Sequence, residues 1–428
     1  MSGAVAAHAA YNGSGTQGLA VTNKIHEDDG DVMSVFWNKN DTTRQLLYGS
    51  SIIEIPPSGS GGALGAGGNQ IFTVNNDIDA VGDLYLQIDA DASGTCRAFE
   101  LLSCIKRIEF MVGTQVWQTL EGSDITALNM TEMSEDAFES FFLAMSCGFT
   151  KQGVRNKITT SNNRLNTSIT SDVTGVIRIP GLSRSVGPKF AKFTDISENA
   201  YLLAGAPHQS VKIRVYTASS LPLNITNLNL RLFGQCIVMC NEEREQIKAM
   251  PAGLPKRLKM TQNVNQSFDC GTIASGNAIV EKNCKLDLDH FSLFASHIII
   301  AIHGEGTHIA NSSIKNAELK LNSSSFSGVL DGALLTGSAA DALGLYSNAV
   351  MKGTANYSAN YYVFPLASHA YGGSSVPLNR FDNIRLEVTA AIQGDSGGGS
   401  NSEFEISATC VGETTALYKG GAASLAMY

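Results

Sequence analysis

From Asp83 to Ala90 the chain reads DLYLQIDA, in which Leu84, Leu86 and Ile88 alternate with Tyr85, Gln87 and Asp89. Strict period two places apolar side chains on one face of an extended segment and polar ones on the other, the pattern of a strand with one face against a core. β-prone runs of similar length recur: Ser51 to Ile55, Ile71 to Val74, Val176 to Ile179, Val211 to Tyr216 and Leu228 to Val238. They continue at Ile279 to Leu288, Phe291 to His303, Ile314 to Leu321, Asn360 to Leu366, Ile384 to Ile392 and Phe404 to Val411. With 42 Gly and abundant Ser, Thr and Asn between the runs, the chain reads as many short strands joined by turns. Charged residues are only 16% of it, against a usual value of about 25%. The fold class is therefore all-β.

Local signals refine this. In IKRIEFMVGTQVWQTLEG, from Ile105, the residues Ile108, Phe110 and Val112 alternate up to Gly113-Thr114 and Val116 resumes after it, which predicts a hairpin. Ser123 or Asp124 is expected to cap a helical turn holding Ile125, Leu128 and Met130. A second helix is expected over Ser134 to Met145, with Glu135 and Asp136 in its first turn. PPSGSGGALGAGGNQ, after Ile55, reads as a flexible loop.

A length of 428 residues exceeds what one core usually serves, since single cores stop growing beyond about 250 to 300 residues. The texture changes at CNEEREQIKAMPAGLPKRLKM, residues 240 to 260, where charge is dense and Pro251 and Pro255 interrupt any long helix. The expected organisation is an N-terminal arm over 1–30, a first β domain over 31–240, a connector over 241–260 and a second β domain over 261–428. No close sequence repeat relates the halves, but the second repeats the texture of the first.

Composition and motifs narrow the function. A net charge of −9 opposes any binding mode that neutralises phosphates, so direct nucleic-acid binding is not expected. No window approaches the 18 or so apolar residues that span a bilayer. The start, MSGAVAAHAAYNGSG, lacks the basic flank and apolar block of a secretory signal, which suggests synthesis in a cytosolic, reducing compartment. Scattered Cys96, Cys104, Cys147, Cys236, Cys240, Cys270, Cys284 and Cys410 read as buried thiols; Cys236 and Cys240 lack the second ligand pair a zinc site needs. His290, His297, His303 and His308 cluster in sequence, but among neighbours only 297 and 303 have the even spacing that shares a strand face, so they read as ordinary strand and loop histidines.

GDSGG at Gly394 to Gly398 matches a serine-protease signature around Ser396. A nucleophile elbow, however, runs from strand to helix, whereas here a strand precedes and another follows. A flexible hairpin loop is the simpler reading. The Gly-rich loop at 58–68 lacks the Lys-Ser/Thr of a phosphate-binding loop. Lys256, Arg257 and Lys259 form the only compact basic cluster and read as a solvated connector, with contact to an acidic neighbour or to the inner face of a larger assembly as the alternative. Sequons at Asn40, Asn129, Asn166, Asn265, Asn311, Asn322 and Asn356 read as composition. No catalytic, cofactor-binding or metal-ligating residue is assigned, and no cofactor is expected.

Five local patterns occur in an order that resembles one family. Ile105, Ile108, Glu109, Gly113 and Gln115 fit a hairpin of the form I-x-x-V-E-x-x-I-G-G-Q; His208, Val211, Lys212 and Ile213 fit the opening of a strand, L-I-A-L-Q-Y-H-E-V-K-I. CNEEREQI sits where an acidic, arginine-rich junction is expected. Leu378, Asn379, Arg380, Phe381, Asp382, Asn383 and Leu386 fit N-F-S-R-I-D-N-x-x-L, and ALYKGGAASLAMY fits a final strand with a small-residue tail. Together they resemble the double jelly-roll major capsid proteins of nucleocytoplasmic large DNA viruses, virophages and polinton-like viruses. The resemblance spans about residues 100 to 428; His369 departs from it, and the first hundred residues match only through GDLYLQI.

The resemblance implies two tandem eight-stranded antiparallel jelly rolls, with short helices in loops and at the inter-barrel connector. It implies a structural protein rather than an enzyme: a major capsid protein whose homotrimer forms a pseudo-hexameric capsomer and tiles the icosahedral shell of a double-stranded DNA virus. Expected partners are neighbouring capsomers and minor capsid and penton proteins, with an internal membrane left as an open alternative; the expected location is the virion, after synthesis in the host cytoplasm. The long connections 150–175 and 322–358 would form an outward crown and intersubunit clasps. The alternative is a carbohydrate-binding or adhesin-type tandem β-sandwich, which would need aromatic platforms from a chain with 2 Trp and 7% aromatics.

Overall fold

The structure, a computed structural model, describes residues 48–59, 61–75, 77–92, 100–132, 149–150, 173–180, 201–221, 225–239, 244–245, 254–272, 279–304, 312–345, 350–354, 357–368, 375–393 and 401–425. The first half contributes β1 (Tyr48–Ile55), β2 (Asn69–Thr73), β3 (Ala80–Ala92), β4 (Ile105–Val112), β5 (Gln115–Glu121), β6 (Phe149–Thr150), β7 (Val173–Ile179), β8 (Tyr201–Leu202), β9 (Val211–Thr217) and β10 (Ile225–Met239). Among the described residues, α1 (Glu100–Ser103) and α2 (Gly122–Glu132) lie between them. The second half contributes β11 (Leu254–Thr272), β12 (Ile279–Asp287), β13 (Phe294–Gly304), β14 (Ser313–Leu321), β15 (Ser324–Ser325), β16 (Leu330–Asp331), β17 (Val350–Thr354) and β18 (Tyr357–Pro365). It ends with β19 (Val376–Pro377), β20 (Ile384–Gln393), β21 (Asn401–Lys419) and β22 (Ala422–Leu425). Between β16 and β17 lie a π-helical turn, Leu334–Ser338, and α3 (Ala339–Ala342).

Each half forms two antiparallel sheets. In the first, β1-β10-β3-β7 is extended by β6, and β2-β9-β4-β5 faces it; in the second, β11-β21-β13-β18 is extended by β17, and β12-β20-β14-β15 faces it. Setting aside the short extra strands β6, β8, β17, β19 and β22, and letting β15 and β16 together take the fifth place, both halves show one order. It is first-eighth-third-sixth in one sheet and second-seventh-fourth-fifth in the other. That is a jelly roll, built twice, so the repeat invisible in residue identity is explicit in topology.

The period-two runs account for the cores. Leu84, Leu86 and Ile88 are buried, and in register Leu86 faces Leu232 and Ile88 faces Leu230 across β3 and β10. In the second barrel Ile300 faces Ala408 and Leu286 faces Leu386, all buried. Gly113, at φ 61°, supplies the left-handed residue of the two-residue turn between β4 and β5, where the hairpin was expected.

Several expectations need correction. α2 starts at Gly122, so Asp124 is not its cap; it lies in the first turn and accepts from the Glu121 backbone N–H, the reciprocal half of a capping box. β11 was missed, although it begins at Leu254, inside the stretch read as connector, and pairs with β21 as far as Thr272. Its middle, TQNVNQSFD, offers no apolar alternation because it is a sheet-edge strand whose faces are partly wet. β20 and β21, which flank residues 394–400, belong to different sheets and so do not pair as a hairpin; the GDSGG loop itself lies outside the described residues. The loop after β1 is pinned by reciprocal backbone bonds between Leu64 and Leu228 and by Thr217 Oγ1 donating to the Gly65 and Gly68 carbonyls. The helix expected over Ser134 to Met145 lies outside the described residues.

Candidate assembly interface

β13 carries the chain's most continuous apolar run, and its two faces are both dry. Ile298, Ile300 and Ile302 point into the barrel, while Ile299 and Ala301 on the opposite face are also buried. Their register partners on β21, Thr409 and Ser407, are 1% and 2% exposed. Such burial on the outward face of a sandwich requires a second body, and that body is the first barrel. α2 lies over β13 and β21, and Thr409 Oγ1 donates to Asp124 Oδ1 at 2.7 Å. Gln118 Nε2 of β5 donates to Thr261 Oγ1 of β11 at 2.8 Å, and Asn263 Nδ2 to Glu121 Oε2 at 3.5 Å. A single contiguous hydrophobic core runs through both barrels.

Charge is buried along the same seam. Lys259, on β11, pairs with Glu132 at the end of α2, and both side chains are 1% exposed. Arg178 of β7 lies 3.5 Å from Glu132 and 3.2 Å from Asp83. Burial pulls the Lys259 ammonium down to about 7, with the Asp83 carboxylate opposing. Burial pushes the Asp124 carboxyl up to about 7, against hydrogen bonds from Thr409 and the Glu121 N–H. His297 is buried with Ser296 Oγ 2.9 Å from its Nδ1, and burial, aided by Lys259, holds its ring down to about 3.

At the other end of the seam the contacts are aromatic and backbone. Tyr201 packs against Phe110, Trp117 and Tyr418 at centroid distances of 5.6, 5.6 and 5.8 Å. The Leu202 N–H donates to the Tyr418 hydroxyl, the His208 N–H to the Gly421 carbonyl and the Ala423 N–H to Gln209 Oε1. Gly421, at φ 76°, sits where a Cβ would collide with the His208 ring.

The sequence candidates scatter against this geometry. Ser396, Cys240 and His308 lie outside the described residues. Cys236 is a buried free thiol, pushed up to about 11 by burial. His290 is exposed in a turn, while His297 and His303 sit six residues apart on one strand, about 20 Å at 3.3 Å per residue, too far to share an ion. His303 faces Glu405 at 3.4 Å. Among the described residues no group of three or more His, Cys, Asp or Glu is placed to hold a metal. Lys259 corrects the solvated-connector reading, because a lysine surrounded by the other barrel needs a buried carboxylate partner. Asn129 is fully buried and donates to the Arg178 carbonyl, so that sequon is closed in the folded chain. Asn322 sits exposed in a turn at φ 49°, accepting from the Asp382 and Asn383 N–H groups. Glu132 carried no sequence signal beyond being a lone acid at the end of an apolar helix.

No protein-family model matches the sequence, and no curated protein matches it. Solved structures do match in fold. The PBCV-1 VP54 structure fitted into a reconstruction of the virophage Sputnik aligns with a TM-score of 0.64 at 10% identity, covering 90% of this chain and 98% of that one. A chain of the PBCV-1 virus capsid aligns at 0.61 and 12% identity, covering 90% and 98%. The Faustovirus major capsid protein aligns at 0.52 and 7% identity, covering 92% and 97%. The likeness spans both barrels and the whole of each neighbour, so the two chains share the tandem architecture and not one sandwich alone.

Proposed function

We propose, from a tandem jelly roll shared end to end with viral capsid proteins, that this chain is the major capsid protein of an icosahedral double-stranded DNA virus, acting by self-assembly and not by catalysis. The observation that carries the reading is the repetition of one strand order in two barrels joined by a dry, charge-paired seam. Two like barrels in a fixed relation form a wedge with pseudo-twofold character. Three wedges closing head to tail place six barrels in a near-hexagonal ring, and such rings tile flat facets. Each interface in such a ring should bury about 2,000 Å² or more.

In this reading residues 1–30 form an arm, 31–240 the first barrel, 241–260 the connector and 261–428 the second, with β11 entering the second barrel from Leu254. The chain is made in the host cytoplasm and resides in the virion. Its partners are neighbouring capsomers and minor capsid and penton proteins; genome contact is not part of its role. Native mass spectrometry of the purified chain tests the first step. A species of three chains is the expected result, and a monomer that persists at high concentration would remove the proposal.

A further inference from the structure

Among the described residues five cysteines are free, and four of them, Cys104, Cys236, Cys284 and Cys410, are sealed in the cores. Cys270 is the exception, half-buried two residues before the end of β11. A free thiol within reach of water is a site for oxidation, and its fate depends on whether a second thiol stands close by. Here one does, across a corner of the second barrel.

β11 and β12 are the first strands of the barrel's two facing sheets, and each pairs on one side only among the described residues, β11 with β21 and β12 with β20. Residues 273–278 separate them in sequence, and their Cα atoms approach within 8 Å. Sheets stacked face to face stand about 10 Å apart, so the two sheets draw together at this corner. Alternation on β11 sends Met260, Val264, Phe268 and Cys270 toward the barrel's interior, and alternation on β12 sends Cys284 and Leu286 toward it from the other sheet. The sulfurs are near enough for charge on one to act on the other. Burial pushes the Cys284 thiol up to about 12, with the Cys270 thiolate adding to the rise and the Lys282 ammonium opposing it. Burial raises the Cys270 thiol as well, again opposed by Lys282. The backbone at Cys270 has room to adjust. Cys270 and Gly271 lie in a register shift between Asp269 and Thr272, and Gly271 turns there at φ 72° while its N–H donates to Asp269 Oδ1 at 2.6 Å. A disulfide needs Cα atoms about 4.4 to 6.8 Å apart, a small closure for a bulged strand end at a narrow corner.

We propose that Cys270 and Cys284 form a disulfide under oxidising conditions, a staple that ties the two sheets of the second barrel at the corner between β11 and β12. Glutathione disulfide serves as the oxidant. The more accessible Cys270 loses its proton and attacks one sulfur of the oxidant, releasing a glutathione thiolate; Cys284 then loses its proton and attacks the Cys270 sulfur of the mixed disulfide, releasing the second. Two cysteine thiols are oxidised, and one glutathione disulfide is reduced to two thiols, which take up the two protons. Closing a loop of about 15 residues restricts the unfolded chain, so the oxidised barrel is the harder one to open. On the capsid reading the thiols stay reduced where the chain is made, and the staple closes once the particle leaves the cell. The bond itself does not depend on that reading.

The test uses the full chain, equilibrated with glutathione disulfide, alkylated, and digested with trypsin without reduction. Cleavage after Lys259, Lys282 and Lys285 places Cys270 and Cys284 on separate peptides. The expected product is those two peptides joined, lighter than their sum by two hydrogens and parted by a reductant. The oxidised chain should melt several degrees above the reduced one, and Cys270→Ser should melt alike under both conditions. Cys284→Ala, the second variant, should show the same indifference to oxidant. A folded chain whose Cys270 is recovered alkylated, or still carrying glutathione, with Cys284 unlinked would overturn the proposal. So would a linked pair that leaves the melting temperature where it was. Neither result bears on the number of chains in the native species, which tests the capsid reading separately.

Discussion

At the scale of single residues the seam is governed by a few charges that water cannot reach. Removing one partner of a buried ion pair strands the other, which costs about 3 to 5 kcal/mol, whereas replacing both with apolar groups is often neutral. Lys259→Met should therefore lower the unfolding free energy by about that amount in urea titrations, and Lys259→Met combined with Glu132→Leu should recover most of it. The titrating groups act in opposite directions. His297 is held down to about 3 from 6.5, so the unfolded state binds the extra proton between those values, and stability falls as pH drops through that window. Asp124 is held up at about 7 from 3.8, so the folded state keeps the proton longer, and its contribution is lost as pH rises from about 4 to 7. His297→Asn should make the chain more resistant to acid below pH 6.5, and Asp124→Asn should remove the opposing slope; each is worth up to about 1.4 kcal/mol per pH unit. Melts across pH 4 to 8 would read both, and an acid sensitivity unchanged in His297→Asn would refute the assignment. These roles were legible only in part. Asp124 was one of two candidates for the helix start, the Lys259 cluster had contact with an acidic neighbour as its second reading, and His297 was read as a strand histidine, but their burial was not foreseen, because burial by the other barrel leaves no trace in the flanking residues.

At the scale of elements, period two served well wherever one sheet face stayed wet. β9 and β20 follow the alternation residue by residue and end within a residue of the expected limits, and β3 follows it from Asp83 to Ala90. It failed for β11, whose polar middle reads as loop although the strand pairs with β21 over nearly all of its length. It was also mute about β21, whose expected portion ended at Val411 while the strand runs on to Lys419. Close backbone approach explains one residue within that extension. A Cβ on Gly412 would stand 2.5 Å from the Phe294 carbonyl oxygen of β13, beside a register shift between Ala295 and His297. Gly412→Ala should thus push the two strands apart and cost about 1 to 3 kcal/mol, measured by denaturant unfolding. A neutral effect would mean that the strand ends there are loosely held.

At the scale of the whole molecule, one continuous core and a dry seam argue that the barrels do not behave as beads on a string. Calorimetry should show one unfolding transition for the chain, not two, since opening the seam exposes the outward face of β13 and β21 together with the Lys259 and Glu132 charges. Two well-separated transitions would demote the seam to a weak contact. In the proposed capsid role the same continuity would hold the angle between the barrels fixed, which closure of three copies requires.

What the sequence determined by itself was the strand habit, the alternation that selects each core-facing side, the two-residue hairpin turn and, through ordered local patterns, the tandem architecture. These are properties of neighbours along the backbone, since pleating assigns each side chain a face within a residue or two. The fate of the opposite face was decided only in three dimensions. Gln118 meets Thr261 across 143 residues, and Asp124 meets Thr409 across 285. Whether an outward side chain meets water or another barrel is set by such distant contacts, and local pattern carries no record of them.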